Sequence, residues 1–117
     1  MKFYLLRHGA TEWNKEDRIA YNENLILSDE GIKQAEKISK EIEKIDYELV
    51  LSSPFIRAIQ TTEIVNKKHC PVIIDDRLRE RNAGILDGMK LSEVNFDEFC
   101  DYYKNAEYEG AESLQEL

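Results

Sequence analysis

The chain has 117 residues, of which 42% are hydrophobic and 34% charged, with a formal net charge of −8. That length suits one domain, residues 1–117, with a modest core. The acidic balance excludes a typical nucleic-acid binder, which needs a basic face to displace counterions, and argues equally against docking on anionic membranes.

Lys2 is followed by a strand-like pattern and not by the apolar region of a secretory leader, and no apolar run reaches membrane-spanning length. Phe3 to Leu6 reads as a short buried strand that stops at Arg7-His8-Gly9. Residues 10 to 27, rich in Asn and charge, read as a loop. Ser28 then suits a helix N-cap, with Asp29 and Glu30 meeting the helix dipole. Ile32, Ala35, Ile38, Ile42 and Ile45 continue at helical spacing and predict a helix to about Ile45.

Tyr47 to Leu51 is a second strand. Ser52-Ser53-Pro54 predicts a helix start, with serine as cap and proline in the first turn. Phe55, Ile59, Thr62 and Val65 carry that helix's stripe, and Val72 to Ile74 is a third strand. After a loop at residues 76–90, Phe96, Phe99, Cys100 and Tyr103 suggest a further helix. Strands alternating with helical stripes predict an α/β fold with a mainly parallel sheet flanked by helices. From Asp97 onward seven acidic residues accompany a single Lys104, a pattern that reads as a solvated surface. Cys70 and Cys100 match no metal spacing and read as reduced thiols, which fits a cytoplasmic protein.

Ligands of an open parallel sheet sit beyond the carboxyl ends of its strands. Arg7 and His8 follow the first strand, Arg57 stands in the helix after the second, and Glu80 follows the third. Two guanidinium groups, an imidazole and a carboxyl group make a phosphoryl-transfer set. Arginine's planar fork fits phosphate oxygens, imidazole can take a phosphoryl group covalently, and a carboxylic acid can protonate a leaving oxygen.

The motifs resemble those of the histidine phosphatase, phosphoglycerate mutase-like superfamily. Leu5-Leu6-Arg7-His8-Gly9-Ala10-Thr11-Glu12-Trp13-Asn14 resembles its signature, strand then R-H-G-x-T-x-x-N. Leu27-Ser28-Asp29-Glu30-Gly31 with Gln34-Ala35 resembles its first helix start. Leu51-Ser52-Ser53-Pro54-Phe55-Ile56-Arg57-Ala58 with Gln60-Thr61 resembles its second-arginine motif. Leu78-Arg79-Glu80 with Gly84 and Gly88 resembles the acid-bearing loop, and Glu112-Ser113 the later G-E-S element. The motifs stand in family order across nearly the whole chain.

The resemblance implies a three-layer α/β/α fold and assigns roles by position. His8 would be the phosphohistidine nucleophile, with Arg7 and Arg57 clamping the phosphoryl oxygens and Asn14 helping to hold phosphate. Glu80 would protonate the leaving group and then activate water. No metal or organic cofactor is implied, because the arginines supply the positive charge. The substrate would be a small phosphorylated metabolite.

Several positions depart from the pattern. Arg18-Ile19-Ala20-Tyr21 has a side chain where the family often has glycine, Asn24-Leu25-Ile26 replaces an acidic, proline-containing turn, and Ala83 and Leu86 replace aromatic residues. The family's second catalytic histidine lies beyond the G-E-S element, on a strand beside the first. The chain ends four residues after Ser113, and His69, before the third strand, is no substitute. The expectation is therefore a domain truncated at its C-terminus, lacking its C-terminal strands, with the first strand left as an unpaired edge. Impaired phosphomonoester hydrolysis, together with self-association or a need for a complementing C-terminal segment, follows from that expectation. A phosphoglycerate mutase is the enzymatic alternative, faintly suggested by Glu80-Arg81, Leu86-Asp87-Gly88 and Lys90. An inactive phosphate- or partner-binding fragment is the alternative of another class.

Overall fold

The computed structural model describes residues 1–117. In chain order its elements are α1 (Glu12–Lys15), α2 (Asp29–Ile42), β1 (Val50–Ser52), α3 (Ile56–Val65), β2 (Val72–Ile74) and α4 (Phe96–Phe99). Single 3-10 turns lie at Asp76–Leu78, Gly84–Leu86 and Leu91–Glu93. They sort into two compact units, Met1–Thr11 with Glu23–Arg79, and Glu12–Asn22 with Glu80–Leu117.

The first unit is built on a strand-helix-strand crossover. β1 and β2 pair in parallel, Val50 opposite Val72, Leu51 opposite Ile73 and Ser52 opposite Ile74. A parallel pair needs a crossover, and α3 supplies it, packing on β1 and on α2. The predicted α/β architecture with a parallel sheet and flanking helices is thus present.

α2 begins where its sequence says it should. Ser28 Oγ accepts from Gly31 N at 3.1 Å, and Asp29 and Glu30 occupy the first turn. Ala35 and Ser39 are buried on the inner face. The helix ends at Ile42, short of Ile45, because the last residues tighten into three-residue turns, with Lys44 N donating to Glu41 O and Ile45 N to Ile42 O. α3 starts later than its serines and proline predict. Ser53 Oγ is used in a local turn, accepting from Phe55 N at 3.3 Å, and Ser52 closes β1. The helix therefore opens at Ile56 with Phe55 as an N-cap that makes no side-chain bond. The second strand is correspondingly shifted, to Val50–Ser52 from the predicted Tyr47 to Leu51.

Phe3 to Leu6, predicted as a buried strand, belongs to no sheet. Phe3 is 80% and Leu5 99% exposed. A strand exists only by pairing, and neither β1 nor β2 reaches this segment. Its apolar pattern on both faces is that of a central strand, yet nothing in the chain pairs with it.

The second unit has its own core of Ile19, Ala83, Leu86 and Phe99, with Tyr21, Met89, Leu91, Val94 and Tyr108 packed around it. Gly84 has φ +52° and lies so close to the segment after Tyr108 that a Cβ would stand 2.3 Å from Ala111 N. The predicted C-terminal helix is one turn, Phe96–Phe99, and Tyr103 is exposed beyond it. The loop predicted at 76–90 contains two of the 3-10 turns. No helix is long and apolar enough to cross a membrane. Cys70 and Cys100 are free thiols.

Candidate active site

His8 follows the apolar segment and enters a loop, Gly9-Ala10-Thr11, that is tied down by helices on two sides. Gly9 N donates to Thr61 Oγ1 on α3 at 3.0 Å, and Ala10 N donates to Gln34 Oε1 on α2 at 2.9 Å. Ser28 N and Oγ both donate to Ala10 O, at 2.9 and 3.1 Å. Leu27, which forms an antiparallel bridge with Thr11, donates its N–H to Gln60 Oε1 at 2.8 Å. The loop needs glycine for proximity. A Cβ on Gly9 would stand 2.4 Å from Gly31 O, and one on Gly31 would stand 2.0 Å from Ala10 O. The backbones of the loop and of the first turn of α2 are therefore in direct contact.

This frame presents the His8 imidazole in a defined state. Nδ1 lies 2.6 Å from Gly9 O. A carbonyl oxygen can only accept, so Nδ1 carries the proton and donates it to that bond. The lone pair then resides on Nε2. Arg57 Nε donates to Nε2 at 3.3 Å. Arg57 is 2% exposed, and its guanidinium lies 5.0 Å from the Phe55 ring centroid. A buried guanidinium thus stands against the lone pair of the imidazole. His8 itself is half-buried.

Of the predicted site residues, the structure brings His8 and Arg57 together. Arg7 is exposed, so of the two arginines expected to clamp phosphate only Arg57 meets His8. Asn14 and Glu80 belong to the second unit. Asn14 is half-buried on α1. Glu80 is exposed, and its Oε1 accepts from Arg81 N at 3.2 Å. Arg81, part of the faint mutase-like pattern, is engaged in packing. It is buried, donates from Nε to Glu112 O at 2.9 Å, and stacks 3.8 Å from the Phe99 ring centroid. Glu112 of the G-E-S element accepts from Asn82 N at 3.0 Å. His69 is exposed, with φ +53°, as expected of a loop residue. It lines a groove of about 360 Å³ with Ser52, Ile59, Thr62, Glu63 and Asn66, which holds none of the predicted site residues.

Gln34, Gln60, Thr61 and Ser28 were not among the predicted site residues. Their signal was present in the Gln34-Ala35 and Gln60-Thr61 pairs: Gln34 and Thr61 meet the loop after His8, and Gln60 meets Leu27, which bridges to Thr11.

Comparison with known proteins gives this geometry a context. The model of the histidine phosphatase superfamily (branch 1) matches residues 3–117. The chain is similar to a probable phosphoglycerate mutase, GpmB, of Proteus mirabilis, at 34% identity over 84% of this chain and 46% of that protein. It is similar to PhoE of Bacillus subtilis, named an uncharacterized phosphatase, at 31% identity over 97% of this chain and 56% of that one. The crystal structure of phosphoglycerate mutase from Thermus thermophilus superposes with a TM-score of 0.77 and 28% identity, covering 93% of this chain and 61% of that one. The chain spans about half the length of the curated relatives it matches.

Proposed function

Because this chain belongs to the histidine phosphatase superfamily, we propose that it carries the nucleophile half of a phosphomonoester hydrolase working through a phosphohistidine. The observation that carries the reading is the state of His8, with Nδ1–H spent on Gly9 O and Nε2 facing Arg57. The Nε2 lone pair attacks the phosphorus of a small phosphorylated metabolite, and the bond to the ester oxygen breaks. Glu80 gives that oxygen its proton. Water then attacks the phosphohistidine, Glu80 takes a proton from it, and the P–N electron pair returns to Nε2. Arg57 and Arg7 balance the charge on the phosphoryl oxygens, which is where preorganised donors contribute most to rate, and Asn14 assists. The reaction needs no metal in this reading.

Use of Arg81 in packing weakens the mutase alternative, which would need further cations for a carboxylated substrate. We place residues 1–117 in one catalytic domain and the protein in the cytoplasm. The exposed Phe3 to Leu6 segment supports self-association, or a complementing segment, as a requirement for full activity. The third reading, an inactive phosphate-binding fragment, is separated from the others by turnover. Phosphate release from 3-phosphoglycerate and from 4-nitrophenyl phosphate, run beside a coupled mutase assay, is expected to show release without isomerisation. Isomerisation exceeding release would replace hydrolase by mutase, and tight phosphate binding without either would favour the inactive module.

A further inference from the structure

We propose that Gln34 is a positioning residue that fixes the tautomer of His8 through a single backbone peptide. The inference rests on His8 as the nucleophile proposed above. The Gly9–Ala10 peptide carries both groups concerned. Its carbonyl accepts from His8 Nδ1 at 2.6 Å, and its N–H donates to Gln34 Oε1 at 2.9 Å. In a trans peptide the C=O and N–H point in opposite directions, so a bond that holds one end aims the other. The peptide bonds of the chain are all trans.

Glycine at position 9 makes the anchor necessary. Without a Cβ, the peptides on either side of Gly9 rotate more freely than those of any other residue. Thr61 Oγ1 holds the preceding peptide through Gly9 N, and the same hydroxyl donates to Arg57 O at 2.8 Å. Gln34 holds the following one. Bonds at both ends of a peptide also polarise each other and strengthen the pair. With the carbonyl aimed at Nδ1, the proton stays there and Nε2 keeps its lone pair toward Arg57. If the Ala10 N–H turned to water instead, the carbonyl would leave the ring. The Nδ1 proton would then lose its acceptor, and the Arg57 Nε–H alone would oppose a proton on Nε2, where it would occupy the attacking lone pair.

Gln34 is exposed on α2, so Gln34→Ala is compatible with the helix. Gln34→Glu keeps an acceptor oxygen at the same reach. Long-range proton–nitrogen NMR of the imidazoles in the 117-residue chain reads the tautomer directly, and exposed His69 supplies an internal reference. The wild-type chain should show His8 as Nδ1–H. Gln34→Ala should shift its tautomer ratio toward Nε2–H by about threefold to tenfold, the scale of one lost hydrogen bond, and Gln34→Glu should restore it. Thermal melts of all three confirm folding. An unmoved ratio in folded Gln34→Ala, or Gln34→Glu behaving like the alanine variant, overturns the proposal. Phosphoryl labelling is measured separately. Its failure would remove the nucleophile and the role stated here, whereas an unmoved tautomer removes Gln34 alone.

Discussion

The imidazole of His8 is engaged at both nitrogens, by Gly9 O on one side and Arg57 Nε on the other. In the proposed reaction Nε2 is the attacking atom, and its bond from Arg57 Nε gives way to the phosphoryl group. In the proposed reaction the proton for the leaving oxygen comes from Glu80, the carboxyl group the motif supplies. In protein competent for turnover, Glu80→Gln should lower kcat on a poor leaving group on the order of 10²–10⁴-fold. Phosphate affinity should change little, because the arginines remain. Steady-state kinetics with phosphate as inhibitor check both, and a normal rate would assign the proton to another group. Arg7, His8, Arg57 and Glu80 stood out as candidates because they are chemically distinctive and stand in recognisable motifs, and of these the structure brings His8 and Arg57 together. Their second partners were less legible. Gln34 and Thr61 act through backbone groups, and a backbone contact leaves no residue type of its own to recognise.

At the scale of elements, the contact between the Gly9-Ala10-Thr11 loop and α2 decides where His8 stands. Helix propensity favours Ala over Gly by about 1 kcal/mol, so Gly31 in the first turn of α2 looks like a weakness. The structure reverses that sign, since a Cβ there would meet Ala10 O at 2.0 Å. Gly31→Ala should therefore destabilise the chain by about 1–3 kcal/mol, the cost of forcing an overpacked contact apart. Thermal unfolding measures it, and a stabilised variant would mean that loop and helix separate easily. Ser28 was legible as a cap because its bond to Gly31 is local. α3 starts later than its sequence predicts because Ser53 serves a local turn with Phe55 ahead of the helix. Its cap-like sequence, Ser52-Ser53-Pro54, carries the same local chemistry in either role. The third strand, Val72 to Ile74, was read with its full limits, since its apolar run has clear ends.

For the molecule as a whole, Phe3 to Leu6 is the largest departure from expectation. A pattern apolar on both faces belongs to a strand with neighbours on both edges, and periodicity cannot say whether those neighbours exist. Leaving such side chains in water forgoes about 1.5–3 kcal/mol each relative to burial. The chain should therefore self-associate at moderate concentration. Leu5→Lys, at a side chain 99% exposed, should shift sedimentation toward monomer without lowering the melting temperature. A wild-type chain that sediments as monomer at all concentrations would contradict this. The parallel sheet and the family were legible, from the alternation of strands with helical stripes and from motifs in order. The division into two compact units was not, because the segment Glu12–Asn22 packs with residues far along the chain. The most direct test of the account is the identity of the phosphorylated nitrogen. Protein incubated with a labelled phosphomonoester and trapped in alkali should carry an acid-labile phosphoryl group on Nε2 of His8, identified by ³¹P NMR and peptide mapping, and His8→Ala should carry none. A phosphoryl group on Nδ1, or label that persists in His8→Ala, would contradict it.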